Sequence, residues 1–343
     1  MTVIDVACPH CGEPVAAGDL FCEACGNGLP VTEAPAVAEP APATEPPVAT
    51  VTCPSCGNEG EAVEGYCGVC GTKLPARRDH HELVLEGAAG VSNKGKRHHR
   101  NEDAMAIFVG EDFVAGVVCD GVSTSVDPDA ASQVAVDAAC AVLAETRDHE
   151  AAYDAARAAV LATEFEPHPQ LSPPSCTYLA AIATNEKVTL ASLGDCRAYW
   201  CEGDTATQLS VDDSWAEVQI ESGMPPADAY SHVLAHVITR WLSHDADPEW
   251  RPRIVPFDVP GPGRLLLVSD GLWNYTLEPA QLVAAMGEQS EPRSEGPLGP
   301  TEPLDLARRL VAFANDAGGS DNITVVVVDL PLKDFHLKGA SEQ

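Results

Sequence analysis

Phe113-Val114-Ala115-Gly116-Val117-Val118-Cys119-Asp120-Gly121 sets the reading of this chain: a short apolar run ends in an acid and then a glycine. The run is too short for a buried helix and is bounded by polar residues, so it is expected to be a strand covered on both faces. A carboxylate at the mouth of such a strand is carried on a rigid element, and the glycine lets another group approach the backbone. The arrangement recurs at Leu265-Leu266-Leu267-Val268-Ser269-Asp270-Gly271. Two more acids stand at strand edges, in Ser192-Leu193-Gly194-Asp195 and in Ser320-Asp321-Asn322 just before Ile323–Val328. Four carboxylates at the ends of four apolar strands point to a shared cation site. Hard divalent ions take carboxylate, carbonyl and water oxygens, and clustered carboxylates without a cation repel and take up protons.

With 343 residues the chain has room for one enzyme-sized domain and a small appendage. Its 20 Lys and Arg against 52 Asp and Glu give a net charge of −32, a field that repels nucleic acid and anionic lipid. No nucleic-acid or membrane partner is therefore expected. No apolar run approaches the length of a bilayer span, and Met1-Thr2-Val3-Ile4-Asp5 lacks the features of a secretory signal. A soluble, cytoplasmic protein is expected.

The cysteines fall in a repeated pattern. Cys8-x-x-Cys11 is followed by Cys22-x-x-Cys25, and Cys53-x-x-Cys56 by Cys67-x-x-Cys70, each time after ten intervening residues. Four thiolates on two tight knuckles make a closed tetrahedral site, which favours two structural Zn2+ ions over loop disulfides in a reducing compartment. These units resemble tandem zinc ribbons, over residues 1–30 and 51–76. Up to Arg78 the chain holds ten acids and three bases, the reverse of a phosphate-backbone binder, so protein docking or a structural cap is expected of them. Residues 31–50, rich in Pro, Ala and Glu, should form an extended linker.

A packed domain is expected over residues 80–332, with a tail at 333–343. Leu83–Leu85, Ala106–Val109, Cys176–Ala183 and Val188–Leu193 read as strands, with Arg197–Trp200 continuing the same sheet. Asp127 is a plausible N-cap for a helix over Ala130–Ala144, with Pro128 in its first turn. Further helices are expected over Ala151–Thr163, Pro279–Met286 and Pro303–Ala314. A short helix and a mobile flap are expected in Ser210–Ser231, and a disordered loop in Gly287–Pro300. Runs of strands interleaved with paired helices indicate an α+β fold with helices covering antiparallel sheets. Between the first two strands, Lys94, Lys96, Arg97 and Arg100 fall within seven residues beside His98 and His99, a candidate anion grip in an otherwise acidic chain.

Arg100-Asn101-Glu102-Asp103-Ala104, Asp120-Gly121, Gly194-Asp195-Cys196-Arg197-Ala198-Tyr199, Ser269-Asp270-Gly271-Leu272-Trp273 and Asp321-Asn322-Ile323-Thr324 occur in that order. Together they resemble the metal-dependent protein phosphatase 2C family over roughly Glu82 to Leu330. The resemblance implies an α-β-β-α sandwich that removes phosphate from phosphoserine and phosphothreonine, using water activated by two Mn2+ or Mg2+ ions. Asp120 would bridge both ions and the Gly121 carbonyl would bind one. Asp270 and Asp321 would complete a shell, Asp103 would act through a water, and Asp195 would share a weaker third ion with Asp270. Phosphoprotein substrates, and a Ser/Thr kinase acting on the same targets, would be the partners. The family's phosphate-gripping Arg falls at His98 here, so Arg97 or His98, with Arg100, is the expected grip. Where many members carry Gly-Gly-His after the Asp-Gly, this chain has Val122-Ser123-Thr124-Ser125, which removes the usual donor to the leaving alkoxide. Cys119 and Cys196 read as core fillers, and Thr239 and Arg240 as structural. The other readings are a phosphatase-fold scaffold of weak turnover and a zinc-ribbon adaptor that binds phosphoproteins.

Overall fold

The computed structural model describes residues 77–287 and 301–332, with short pieces nearer the N-terminus: Val6–Ala7, His10, Cys11, Pro14–Val15, Val51–Thr52, Cys56, Glu59–Gly60, Ala62–Val63, Tyr66–Cys67, Val69 and Cys70. The expected linker at 31–50, the loop at 288–300 and the tail at 333–343 lie outside the described residues. The chain divides into two compact units, Met1–Leu74 and Pro75–Gln343.

In the first unit Val6–Ala7 pairs with Pro14–Val15, Val51–Thr52 with Glu59–Gly60, and Ala62–Val63 with Tyr66–Cys67, all antiparallel. Such short hairpins bury almost nothing, so a unit of this kind depends on its cross-links.

The second unit runs in chain order through β1 (His80–Leu85), β2 (Ala88–Asn93), β3 (Ala104–Val109), β4 (Val114–Cys119), α1 (Pro128–Thr146) and α2 (His149–Leu161). It continues with β5 (Tyr178–Ala183), β6 (Lys187–Leu193), β7 (Arg197–Glu202), β8 (Thr205–Gln208), α3 (Trp215–Glu221) and α4 (Pro226–Tyr230). It closes with β9 (Arg253–Asp258), β10 (Gly263–Val268), α5 (Pro279–Met286), α6 (Thr301–Ala317) and β11 (Ile323–Leu330). One sheet has the order β9-β6-β5-β4-β3 and the other β8-β7-β10-β11-β2-β1, with every pairing antiparallel.

The apolar strands are apolar at every position because both faces are covered. Every residue of β4, β5 and β11 is buried. One core joins α1 and α2 to the outer face of the five-stranded sheet, and another joins α5 and α6 to the six-stranded sheet. A third lies between the sheets, built from Val114, Val118, Leu179, Leu190, Leu265, Leu267 and Val326 among others. The architecture is the α-β-β-α sandwich.

Three expectations change. Arg197–Trp200 does not extend the sheet of β5 and β6: after Leu193 the chain crosses into the six-stranded sheet, turning at Gly194, whose φ of +103° suits only glycine. A tight hairpin and a crossover both need a short polar break, so the residues there do not distinguish them. Asp127 precedes α1 but makes no side-chain cap bond; it sits in the left-handed region with its carboxylate 4.0 Å from Arg100. The Ser210–Ser231 segment forms two short helices, α3 and α4, gathered around Ala216, Ala229 and Ala235.

Leu267 is fully buried between the sheets, so truncating it leaves a cavity that neither sheet can close. Leu267→Ala is expected to cost about 2–5 kcal/mol, read as a lower urea midpoint with an unchanged slope.

Candidate metal centre

Strand register gathers the acids at one end of the sandwich. Cys119 pairs with Ala104, Val118 with Leu179 and Tyr178 with Leu193, which brings Asp103, Asp120 and Asp195 to one edge of the five-stranded sheet. In the other sheet Arg197 pairs with Val268 and Val268 with Val325, which places Asp195, Asp270 and Asp321 at the matching edge. The crossover at Gly194–Cys196 ties the two edges together. The five aspartates named from sequence therefore meet, Asp103 and Asp195 buried and Asp120, Asp270 and Asp321 partly open to solvent.

Hydroxyl and amide groups hold these acids. Asp103 Oδ2 accepts hydrogen bonds from Ser269 Oγ at 2.8 Å and Thr324 Oγ1 at 2.7 Å. Thr177 fixes Asp120: its Oγ1 accepts from the Asp120 amide at 2.9 Å, and its own amide donates to the Asp120 carbonyl at 2.8 Å. That exchange explains why the strand expected over Cys176–Ala183 breaks at Thr177, leaving Ser175–Cys176 to pair with Leu242–Ser243. Asn322 Oδ1 accepts from the Glu102 amide at 2.7 Å, while its Nδ2 donates to the carbonyls of Lys94 at 2.8 Å and Arg100 at 3.1 Å. The Asp195 carbonyl accepts from Trp273 Nε1 at 2.9 Å, and the guanidinium of Arg197, paired with Asp212 at 2.7 Å, lies 3.8 Å above the same indole. Gly271 is required by close approach: a Cβ there would fall 1.9 Å from the Asn322 carbonyl oxygen.

The charges at this edge oppose one another. Burial, then repulsion from Asp103, Asp270, Asp321 and Asp195, pushes the Asp120 carboxyl well above the usual range. Asp270 is raised in the same way, by burial and then by Asp195, Asp321 and Asp103. Burial is also the main cause for Asp103, raised to about 6, and for Asp195, raised to about 7 with Asp212 as its chief repeller. Asp321 is raised too, chiefly by burial. Two carboxylate oxygens, Asp103 Oδ1 and Asp270 Oδ1, are buried without any hydrogen-bond partner. Unpaired carboxylate oxygens in a repelling cluster suit a hard divalent cation, so the donor set fits Mn2+ or Mg2+.

The basic loop divides. His98 Nε2 lies 3.1 Å from Asp321 Oδ1, at the edge of the acid centre. Arg100 turns to acids instead, with Nε 3.1 Å from Glu102 and Nη1 3.2 Å from Asp129. Arg97 is exposed and makes no ion pair among the described residues. Ser123, in the segment after Asp120-Gly121, donates its hydroxyl to Glu102 Oε2 at 2.6 Å. His236 packs its ring 5.4 Å from Trp273, and Arg240 pairs with Asp213 at 3.2 Å. Cys119 and Cys196 are buried, and burial pushes both thiols far up.

In the first unit the sulfurs of Cys56, Cys67 and Cys70 lie within 4.8 Å of one another, a spacing that suits a tetrahedral thiolate site. Cys11 is exposed, and Cys8, Cys22, Cys25 and Cys53 fall outside the described residues.

A helix-covered double sheet with aspartates converging at one end defines a carboxylate-centred sandwich. A family profile described as Protein phosphatase 2C matches residues 92–298, and one described as Double zinc ribbon matches residues 8–71. The chain is 30% identical over 264 residues to the serine/threonine protein phosphatase PstP of Mycobacterium tuberculosis, covering 74% of this chain and 46% of that protein. It is 31% identical over 251 residues to the serine/threonine phosphatase stp of Listeria innocua, covering 69% of this chain and 93% of the relative. A crystal structure of the M. tuberculosis phosphatase PstP/Ppp superposes with a TM-score of 0.56 at 27% identity, covering 72% of this chain and 99% of the other. The chain belongs to the protein phosphatase 2C family and carries an N-terminal double zinc ribbon. It spans about half the length of the first of these relatives.

Thr177, Ser269, Asn322 and Thr324 hold the acids, a role not expected from the sequence. Their signal was present only as polar residues flanking strand-edge aspartates.

A carboxyl raised in the folded state binds its proton more tightly there than in the unfolded chain. Its stabilising contribution is complete below the ordinary carboxylate range and is lost as pH rises through the folded value. With Asp195 raised from 3.8 to about 7, chelator-treated protein is expected to lose thermal stability across that window. Asp195→Asn should reduce the loss, the other raised aspartates accounting for the remainder, and added Mn2+ should cancel it, both read by thermal unfolding.

Proposed function

We propose that this chain is a metal-dependent phosphoprotein phosphatase acting on phosphoserine and phosphothreonine. The observation that carries this reading is the meeting of five aspartates, with unpaired buried oxygens on Asp103 and Asp270, at the open edge of a phosphatase 2C fold. Asp120, the Gly121 carbonyl, Asp270 and Asp321 would hold a pair of Mn2+ or Mg2+ ions, with Asp103 reaching them through water and Asp195 offering a weaker third place. When bound, such ions supply polarisation of a water and neutralisation of phosphoryl charge.

The chain's own residues do the rest. Ser269 and Thr324 keep Asp103 Oδ2 satisfied, which leaves its buried Oδ1 as the free acceptor. His98, close to Asp321, or its exposed neighbour Arg97 would receive the phosphoryl oxygens, whereas Arg100 pairs with Glu102 and Asp129. Ser123 is committed to Glu102 and the Val122–Ser125 segment carries no histidine, which weakens protonation of the leaving alkoxide and leaves that role to His98 or His99.

Cys53, Cys56, Cys67 and Cys70 would hold one Zn2+, and Cys8, Cys11, Cys22 and Cys25 another. Thiolate sites of this kind belong in a reducing compartment, and we place the protein in the cytoplasm on that ground. Among the described residues no helix is long and apolar enough to cross a membrane. The ribbons are read as a docking surface for a protein partner, and the substrates as targets shared with a Ser/Thr kinase.

Mn2+-dependent phosphate release from a phosphothreonine peptide tests the reading. Asp270→Asn is expected to lower kcat about a hundredfold or more, while retaining the fold by circular dichroism. Because leaving-group protonation is weak, aryl phosphates should be hydrolysed relatively better than phosphopeptides when compared with a family member that keeps the histidine. Equal relative rates would reject that part of the account.

A further inference from the structure

The chain leaves the zinc-ribbon unit at Leu74 and reaches Arg78 four residues later, ahead of the first strand and outside the segment matched by the phosphatase profile. The Arg78 side chain nevertheless makes one of the densest sets of hydrogen bonds in the protein. Its Nε donates to the Asn101 carbonyl at 3.0 Å. Its Nη2 donates to the carbonyls of Asp129 at 2.7 Å and Asp103 at 3.3 Å and to Ser132 Oγ at 3.2 Å, and its Nη1 to Gln133 Oε1 at 3.3 Å. The planar fork thus spans the loop carrying Asp103 and the first turn of α1. Ser132 in turn donates to the Glu102 carbonyl at 2.5 Å, closing the loop against the helix.

The backbone of the same residue joins a second line of contacts. The Arg78 carbonyl accepts from Asn101 Nδ2 at 3.1 Å, and that amide also donates to Ser92 Oγ at 2.8 Å. Ser92 Oγ bonds Thr324 Oγ1 at 2.7 Å, and Thr324 Oγ1 bonds Asp103 Oδ2 at 2.7 Å. Asn101, Ser92, Thr324 and Asp103 are all at most 3% exposed, so the line consists of buried polar groups bonded to one another. A cavity of about 310 Å3 lies against the line, bordered by Arg78, Ser92, Asn101, Asp103 and Gln133. Packing on that side is therefore incomplete, and directed bonds rather than close contacts hold the Asp103 loop in place.

We propose that Arg78 is a positioning residue for the acid centre: it fixes Asp103 from both its backbone and its side-chain neighbours, and thereby sets the affinity of the centre for divalent cations. The inference rests on the assignment of Asp103 to the metal centre. Lysine cannot substitute, because its ammonium lacks the fork that reaches Asn101, Asp103 and Asp129 at once.

The test uses the full chain with Arg78→Met and Arg78→Lys. Mn2+ binding is followed by titration calorimetry, and kcat and KM are measured on an aryl phosphate. Both variants are expected to bind Mn2+ about tenfold or more weakly, with kcat reduced, KM changed less than kcat, and no rescue by lysine. Isotherms and kcat within twofold of the unsubstituted chain, with only the melting temperature lowered, would overturn the proposal and leave Arg78 a structural contact. Full rescue by lysine would overturn it as well, since charge alone would then suffice. If Arg78→Met fails to fold, Arg78→Lys decides the question by the same isotherm. The isotherm also separates this inference from the functional reading: an unsubstituted chain that binds Mn2+ without releasing phosphate defeats the activity and still tests the clamp.

Discussion

Mutual repulsion among aspartates crowded at one largely buried edge is the constraint on which the rest depends. Asp103, Asp120, Asp195, Asp270 and Asp321 all have carboxyls driven upward, with burial the first cause in each case and neighbouring acids prominent for Asp120 and Asp270. No hydrophobic fold gains from such a cluster. It persists because two rigid sheets, each saturated with apolar side chains, force their edges to one place. Divalent cations at this edge would offset the opposition and, on the proposed reading, would counter the repulsion that a chain of net charge −32 exerts on a phosphoryl group.

The holding residues show how the sheets transmit that order. Thr177 interrupts its strand to hold the Asp120 backbone, and Thr324, second residue of β11, bonds Asp103 from the other sheet. Asn322 stitches the basic loop to the start of β11. Each of these side chains joins segments far apart in sequence, so the centre forms only when both sheets have closed. Arg78 extends the network outward to the segment that follows the ribbon unit.

Much of this was legible in the residues. The apolar runs at Val114–Cys119 and Leu265–Val268 could only be covered strands, and their terminal Asp-Gly pairs located the centre. The cysteine spacing announced the ribbons in the same way. What failed needed contacts distant in sequence. Ala88–Asn93 contains Gly90 and small residues and gave no strand signal, yet it pairs with β11 deep in the second sheet. The crossover at Gly194 looked like a hairpin, because the partner strand that decides the matter, β10, lies far along the chain. Arg100 looked like part of an anion grip until Glu102 and Asp129 were seen to occupy it.

Anomalous diffraction from crystals grown with Mn2+ tests the central claim most directly. The account predicts two adjacent manganese peaks bounded by Asp120, the Gly121 carbonyl, Asp270 and Asp321, with any weaker third peak between Asp195 and Asp270. Manganese bound elsewhere, or no peak among these aspartates at saturating metal, would contradict it.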